Sequence, residues 1–189
     1  MHIAFLREKF RAAAAASAIV WRDREVTYAW LLDEIGRMEG LLAARNVPRG
    51  AVVSIEADFS PRAVALLLAL IDHDAVIVPL TSSVKDKKAE FCEIAEVETQ
   101  ISIDDADVID VRETGTTASH PLVRTLKDAQ HPGLVLFSSG STGKSKAALH
   151  DIVPMLEKFK VPRQTMRTLT FLLFDHYMEI GRASCRERV

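Results

Sequence analysis

Two cysteines, Cys92 and Cys185, are all that this 189-residue chain offers for disulfide formation. Two thiols so far apart do not make a stapled scaffold, and a reducing, cytoplasmic setting is the expectation they support. Long apolar runs are lacking as well. The longest, Ala63–Ile71, falls well short of the roughly 18 residues that suggest a membrane-crossing helix, so no span is expected. Neither sign of charge dominates, since 24 Lys and Arg stand against 26 Asp and Glu for a formal net charge of −2. Basic and acidic residues are interspersed and aromatics make up only 6% of the chain. A nucleic-acid surface, with its basic stripe and interleaved rings, is therefore not expected. Ala12–Ala16 follows Arg7, Glu8, Lys9 and Arg11 without a longer apolar run behind it, and reads as helix rather than as a signal-peptide core. No internal repeat is present. What the chain does have is 48% hydrophobic residues, enough for the core of one globular unit.

The pattern of those residues alternates between strand and helix. A first helix is expected over about Ile3–Ala16, then a short two-stranded element, Ile19–Arg22 and Val26–Tyr28, turning at Asp23-Arg24. Thr27 is placed to cap a helix in which Leu31, Leu32, Ile35, Met38, Leu41 and Leu42 recur at helical spacing and which stops before Pro48. Val52–Ile55 reads as a strand. Ser60-Pro61 joins a capping hydroxyl to a proline at the first helical position and opens a helix through Ile71. Ala75–Leu80 is continuously apolar and rich in β-branched residues, the mark of a strand buried on both faces. A charged helix around Lys85–Glu96, strands near Gln100–Ile103 and Val108–Val111, and a polar loop over Glu113–His120 follow. Such alternation implies an α/β fold, a largely parallel sheet flanked by helices, with its functional loop at the carboxyl end of a strand.

Chemistry concentrates in Leu134-Val-Leu-Phe-Ser-Ser-Gly-Ser-Thr-Gly-Lys-Ser-Lys146, where an apolar strand runs into hydroxyls, glycines and lysines. Gly140 and Gly143 let the backbone turn its N–H groups inward as an anion nest. Ser138, Ser139, Ser141 and Thr142 add O–H donors, and Lys144 and Lys146 add positive charge. A nucleotide polyphosphate is the ligand such a loop suits. The P-loop of nucleoside triphosphatases, Gly-x-x-x-x-Gly-Lys-Ser/Thr, would need a glycine where Ser138 stands.

Phe137, Ser138, Ser139, Gly140, Ser141, Thr142, Gly143, Lys144 and Lys146 instead follow the phosphate motif of the adenylate-forming superfamily of AMP-dependent synthetases and ligases, which includes acyl-CoA synthetases, nonribosomal peptide adenylation domains and luciferases. The chain resembles that superfamily over roughly Ala18–His176, with Ser145 where proline is usual and Ala147 where glycine is usual. Val26-Thr-Tyr-Ala-Trp-Leu31 resembles an early family element with Trp30 in place of an acidic residue, and Asp74 precedes a strand where members often carry glycine. Thr168–His176 resembles the strand and histidine-bearing turn that borders the acyl pocket.

The resemblance implies an enzyme that joins a carboxylic acid to ATP with loss of pyrophosphate, aided by Mg2+, and passes the acyl group to CoA or to a carrier-protein thiol. Ser138, Ser139, Gly140, Ser141, Thr142, Gly143 and Lys146 would hold the β- and γ-phosphates, and His176 would line the acyl pocket. It implies no catalytic residue and no metal ligand within this stretch, because the family's magnesium-binding glutamate and catalytic lysine lie further along. Residues 1–178 would be the N-terminal portion of an AMP-binding domain, inactive alone. Residues 179–189, with Ile180-Gly-Arg-Ala-Ser-Cys-Arg-Glu-Arg-Val189, break the pattern abruptly and read as the translation of a sequencing adapter, an artefactual tail. A P-loop-like NTPase and a non-catalytic nucleotide-binding module are the alternatives.

Other clusters read as structure. Asp72-His73-Asp74 is too tightly consecutive to converge on one ion and is expected to be a turn, as are Asp104, Asp105 and Asp107. His150-Asp151 lacks a nucleophile at a motif spacing, and Cys92 sits among apolar neighbours as a core residue.

Overall fold

The computed structural model describes residues 1–139 and 145–161. Helix α1 (Ala4–Ala12) starts where Asp72 Oδ1 accepts the backbone N–H groups of His2 at 2.6 Å and Ile3 at 3.0 Å. This cap from a residue far along the chain satisfies donors that a helix start leaves open. Strands β1 (Ser17–Trp21) and β2 (Arg24–Thr27) form a separate antiparallel hairpin. Its turn falls on Arg22 and Asp23, one residue earlier than expected, with φ of 47° and 60°. Two left-handed residues give the primed turn whose twist matches the strands, and Trp21 thereby pairs with Arg24.

Thr27 caps α2 (Tyr28–Ala44) as expected, its Oγ1 accepting the Trp30 N–H at 3.2 Å. Strand β3 (Val52–Glu56) leads to α3 (Pro61–Asp72), capped by Ser60 Oγ on the Ala63 N–H at 3.1 Å. Strand β4 (Val76–Leu80) is buried throughout. The expected charged helix begins as a 3₁₀ turn, Ser82–Lys87, and continues as α4 (Lys88–Ile94). Strands β5 (Thr99–Ile103) and β6 (Ile109–Glu113) follow. Next come α5 (Pro121–Ala129), β7 (Gly133–Ser139), β8 (Ser145–Asp151) and α6 (Ile152–Lys160).

The six-stranded sheet has the order β6-β5-β3-β4-β7-β8. Its four inner strands are parallel, and both outer ones pair antiparallel. Successive residues feed opposite cores, as strand geometry requires. Val53, Ile55, Ile77, Leu134 and Leu136 pack with Ile35 and Leu42 of α2 and Leu66 and Leu70 of α3. Val52, Val76, Val78 and Val135 pack with Phe91 of α4 and with Val123 and Leu126 of α5.

Charges inside this frame are paired. Glu34, 1% exposed, accepts Arg62 Nε at 2.7 Å and Arg37 Nη1 at 3.1 Å. Asp74 takes the left-handed conformation expected where glycine is usual, with φ of 58°. Its carboxylate meets His2 Nε2 at 2.8 Å and Arg49 Nη2 at 2.6 Å. Burial pushes the Asp74 carboxyl upward, but the hydrogen bonds from His2 and Arg49 and the Arg49 charge outweigh it and hold the group below its ordinary value.

A lowered carboxyl pKa stabilises the fold above the unfolded value of about 3.9 and loses that contribution as pH falls through the native value. Asp74→Gly is therefore expected to lower the urea midpoint at pH 7 and to differ from the unsubstituted chain progressively less as pH drops below about 4. Gly133 supplies a second check. A Cβ there would lie 2.7 Å from Leu126 Cδ1, 3.1 Å from Leu149 Cδ1 and 3.2 Å from Val76 Cγ2. Gly133→Ala should cost about 1–3 kcal/mol in urea unfolding, the usual penalty for overpacking.

Candidate functional site

The Ser/Gly/Lys stretch connects two antiparallel strands. Pairing runs from Gly133 opposite Asp151 to Ser139 opposite Ser145, so β7 and β8 are the two arms of a hairpin. A P-loop runs from its strand into a helix N-terminus, where amide groups wrap the phosphate. Here a second strand follows the loop instead, and α6 begins only at Ile152. The hairpin is held at its base by His131 Nδ1, 2.8 Å from Asp151 Oδ2. The other oxygen of the same carboxylate, Oδ1, caps α6 by accepting the Val153 N–H at 2.9 Å.

Residues directly opposite in an antiparallel pair share a face. Ser138 lies opposite Lys146, and both are exposed, whereas Leu136 behind Ser138 is 8% exposed and in the core. The hairpin thus leaves the protein between Leu136 and Ser138, and a hydroxyl and an ammonium stem emerge side by side. On the other face Phe137 stacks on Phe91 of α4, with centroids 3.9 Å apart. Ser145 donates its N–H to Glu90 Oε1 at 3.3 Å, and its Oγ is buried with no hydrogen-bond partner among the described residues. Of the residues expected to bind phosphate, Ser138 and Lys146 are brought together on one face, and Ser139 pairs with Ser145 at the end of the strands. Gly140, Ser141, Thr142 and Gly143, together with Lys144, His176, the expected strand in Thr168–His176 and residues 179–189, lie outside the described residues.

Because β5, β3, β4 and β7 are parallel, their carboxyl ends meet on one edge of the sheet, and the Ser138 end of β7 is on that edge. A cleft of about 450 Å³ opens on the same edge beyond β3, β4 and β5, lined by Asp58, Ser60, Ser82, Lys85 and Ser102 among others. Arg22 at the β1–β2 turn reaches across it to Asp105, with Nη2 2.8 Å from Oδ1. Nothing in the sequence pattern marked this cleft, since its walls come from loops that are neighbours only through the strand order.

The remaining clusters are structural. Asp72 binds Arg7 and the α1 amides, His73 Nε2 lies 2.9 Å from Val47 O, and Asp74 binds Arg49 and His2. The three consecutive side chains therefore serve separate structural contacts and do not converge on one ion. Asp104 Oδ1 accepts the N–H groups of Ala106 and Val108, the turn expected between β5 and β6. Burial raises the Cys92 thiol above its ordinary pKa, against the nearby Lys88 charge, and the half-buried side chain packs against the core beside Phe91 and Phe137. Among the described residues no group of His, Cys, Asp or Glu is arranged to hold a metal ion, and no helix is long and apolar enough to cross a membrane.

Comparison with known proteins agrees with this geometry. The chain is 30% identical over 161 residues, 73% of its length, to the probable non-canonical nonribosomal peptide synthetase CymA of Salinispora arenicola, of which it spans 2%. It is 28% identical over 139 residues, 65% of its length, to the hybrid PKS-NRPS synthetase xenE of Xenoacremonium sinensis, of which it spans 3%. Among solved structures, the N-terminal subdomain of Klebsiella oxytoca NpsA superimposes with a TM-score of 0.62 at 24% identity, covering 82% of this chain and 43% of that one. An artificially fused NpsA-ThdA adenylation-PCP di-domain from the same organism matches with a TM-score of 0.63 at 22% identity, covering 82% of this chain and 33% of the fusion. The sheet and its flanking helices thus share their fold with the NpsA N-terminal subdomain. The family profile described as AMP-binding enzyme matches residues 6–180, and the chain belongs to that family.

Proposed function

We propose that the chain carries the pyrophosphate-binding part of an enzyme that activates a carboxylic acid as its acyl-adenylate. A carboxylate oxygen attacks the α-phosphorus of ATP, the bond to the β-phosphate bridging oxygen breaks, and pyrophosphate leaves. The observation that carries this reading is the hairpin itself, which sets Ser138 beside Lys146 on the carboxyl edge of a parallel sheet in a member of the AMP-binding family. Charge grows on pyrophosphate as the bond breaks, and fixed donors and cations aimed there stabilise it without reorganising. Lys146 supplies the charge, Ser138 and Ser139 supply donors, and Gly140, Ser141, Thr142 and Gly143 complete the binding set.

Mg2+ accompanies ATP in such chemistry and neutralises phosphate charge. The donors of the hairpin, hydroxyls, amides and ammonium groups, suit phosphate oxygens, and a hydroxyl oxygen such as that of Ser138 could also meet Mg2+ held by the phosphates. No step here is routed through the metal. The chain spans 43% of the NpsA subdomain, so we assign phosphate binding to it and assign the acid pocket, with His176 at its border, and the completion of the reaction to a longer protein. CoA and a carrier-protein thiol both suit an acyl-adenylate as acceptors. The likeness to nonribosomal peptide synthetases supports the carrier thiol over an acyl-CoA synthetase.

Isothermal titration of the chain with pyrophosphate tests the reading. Lys146→Ala should weaken binding about tenfold and Ser138→Ala by less, in line with charged and neutral hydrogen bonds. An unsubstituted chain that binds no pyrophosphate contradicts the proposal. Carboxylate-dependent ATP–pyrophosphate exchange by the 189-residue chain alone would contradict the assignment of turnover to a longer protein.

A further inference from the structure

Two consecutive residues of α4 reach the two arms of the hairpin. Phe91, 6% exposed, lays its ring on Phe137 with the planes 3° apart, and Glu90 Oε1 accepts the N–H of Ser145. Phe137 precedes the hydroxyls of β7 and Ser145 is the first residue of β8. A ladder of strand hydrogen bonds fixes register, but not how a pair of strands tilts out of its sheet. β8 is the edge strand and has no outer neighbour among the described residues, so contacts from a face of the sheet bear on where Ser138 and Lys146 lie. Parallel stacking of the two rings buries apolar area between α4 and β7 and joins the helix to the strand.

Ser145 sharpens the point. It stands where the resembled motif has proline, which would fix φ near −65° and would have no N–H to give. The chain forgoes that covalent restraint, and the Glu90 carboxylate takes the N–H that serine provides.

We infer that Glu90 and Phe91 are positioning residues that hold Ser145 and Phe137, and through them set where Ser138 and Lys146 meet a polyphosphate. The second half of this statement rests on the function proposed above. Glu90 acts in two opposing ways, because its hydrogen bond steadies Ser145 while its negative charge repels an arriving anion. Glu90→Gln keeps an acceptor and removes the charge, whereas Glu90→Ala removes both, so the pair separates the two effects.

The test uses the whole chain, first without ligand and then with inorganic pyrophosphate. In amide hydrogen exchange, Glu90→Ala and Phe91→Leu should speed exchange at residues 137, 138 and 145–147 about fivefold, the scale of one lost hydrogen bond. Glu90→Gln should stay near the unsubstituted chain, as should Glu93→Ala on the exposed side of the same helix. Pyrophosphate should bind about fivefold more weakly to Glu90→Ala than to Glu90→Gln. Unchanged exchange in both Glu90→Ala and Phe91→Leu overturns the inference, and so does equal pyrophosphate affinity in Glu90→Ala and Glu90→Gln. Faster exchange in a chain that binds no pyrophosphate at all would support the tether and remove the functional reading instead.

Discussion

Strands β3 and β4 have no face toward water. Val52, Val76 and Val78 point into one core and Val53, Ile55 and Ile77 into the other, so helices have to cover both sides of the sheet. The chain meets that demand by crossing over with α3 on one face between β3 and β4 and with α4 on the other between β4 and β5. Crossovers of this kind keep the inner strands parallel and bring their carboxyl ends to a single edge. Every element of the candidate site is at that edge as a consequence of burial. The same demand puts α4 on the face of β7 that carries Phe137, which is why a helix two strands earlier in the chain touches the β7–β8 hairpin.

The two ends of the sheet differ in electrostatic character. At the amino end, Asp72 pairs with Arg7 and Asp74 with Arg49, the His2 ring hydrogen-bonds Asp74, and Asp72 also ties down the amides that open α1. Those charges are spent on holding the N-terminal segment against the domain. At the carboxyl end, Ser138 and Lys146 emerge exposed where the core stops. Paired charges inside and accessible donors at one edge are what a domain needs to stay folded while meeting a highly charged ligand.

Much of this was legible in the residues. Thr27 and Ser60-Pro61 announced helix starts because capping is local chemistry, and the unbroken Ala75–Leu80 run announced a strand with two buried faces. Elements defined by distant partners were not legible. β8 is built from Ser145-Lys-Ala-Ala-Leu-His-Asp151, without a β-branched residue, and is a strand because β7 pairs with it. Helix α5 carried its own signals, Pro121 at the start and Val123 and Leu126 on one side, yet the polar stretch before it masked them. Glu34 reads as a solvated helix position until Arg62 of α3 is placed beside it. In the candidate site, the hydroxyls and lysines stood out as a motif, while Glu90 and Phe91 had none to mark them, because their contacts depend on how α4 lies across the sheet.

The account stands on the hairpin as the place where polyphosphate binds, in preference to the larger cleft on the same edge. A two-dimensional ¹H–¹⁵N titration of the chain with pyrophosphate measures this directly. The account predicts shifts concentrated in residues 138–146 and in Glu90 and Phe91, saturating together, with Asp58, Ser82 and Ser102 left in place. Shifts confined to the cleft residues, with the hairpin amides unmoved, would contradict it.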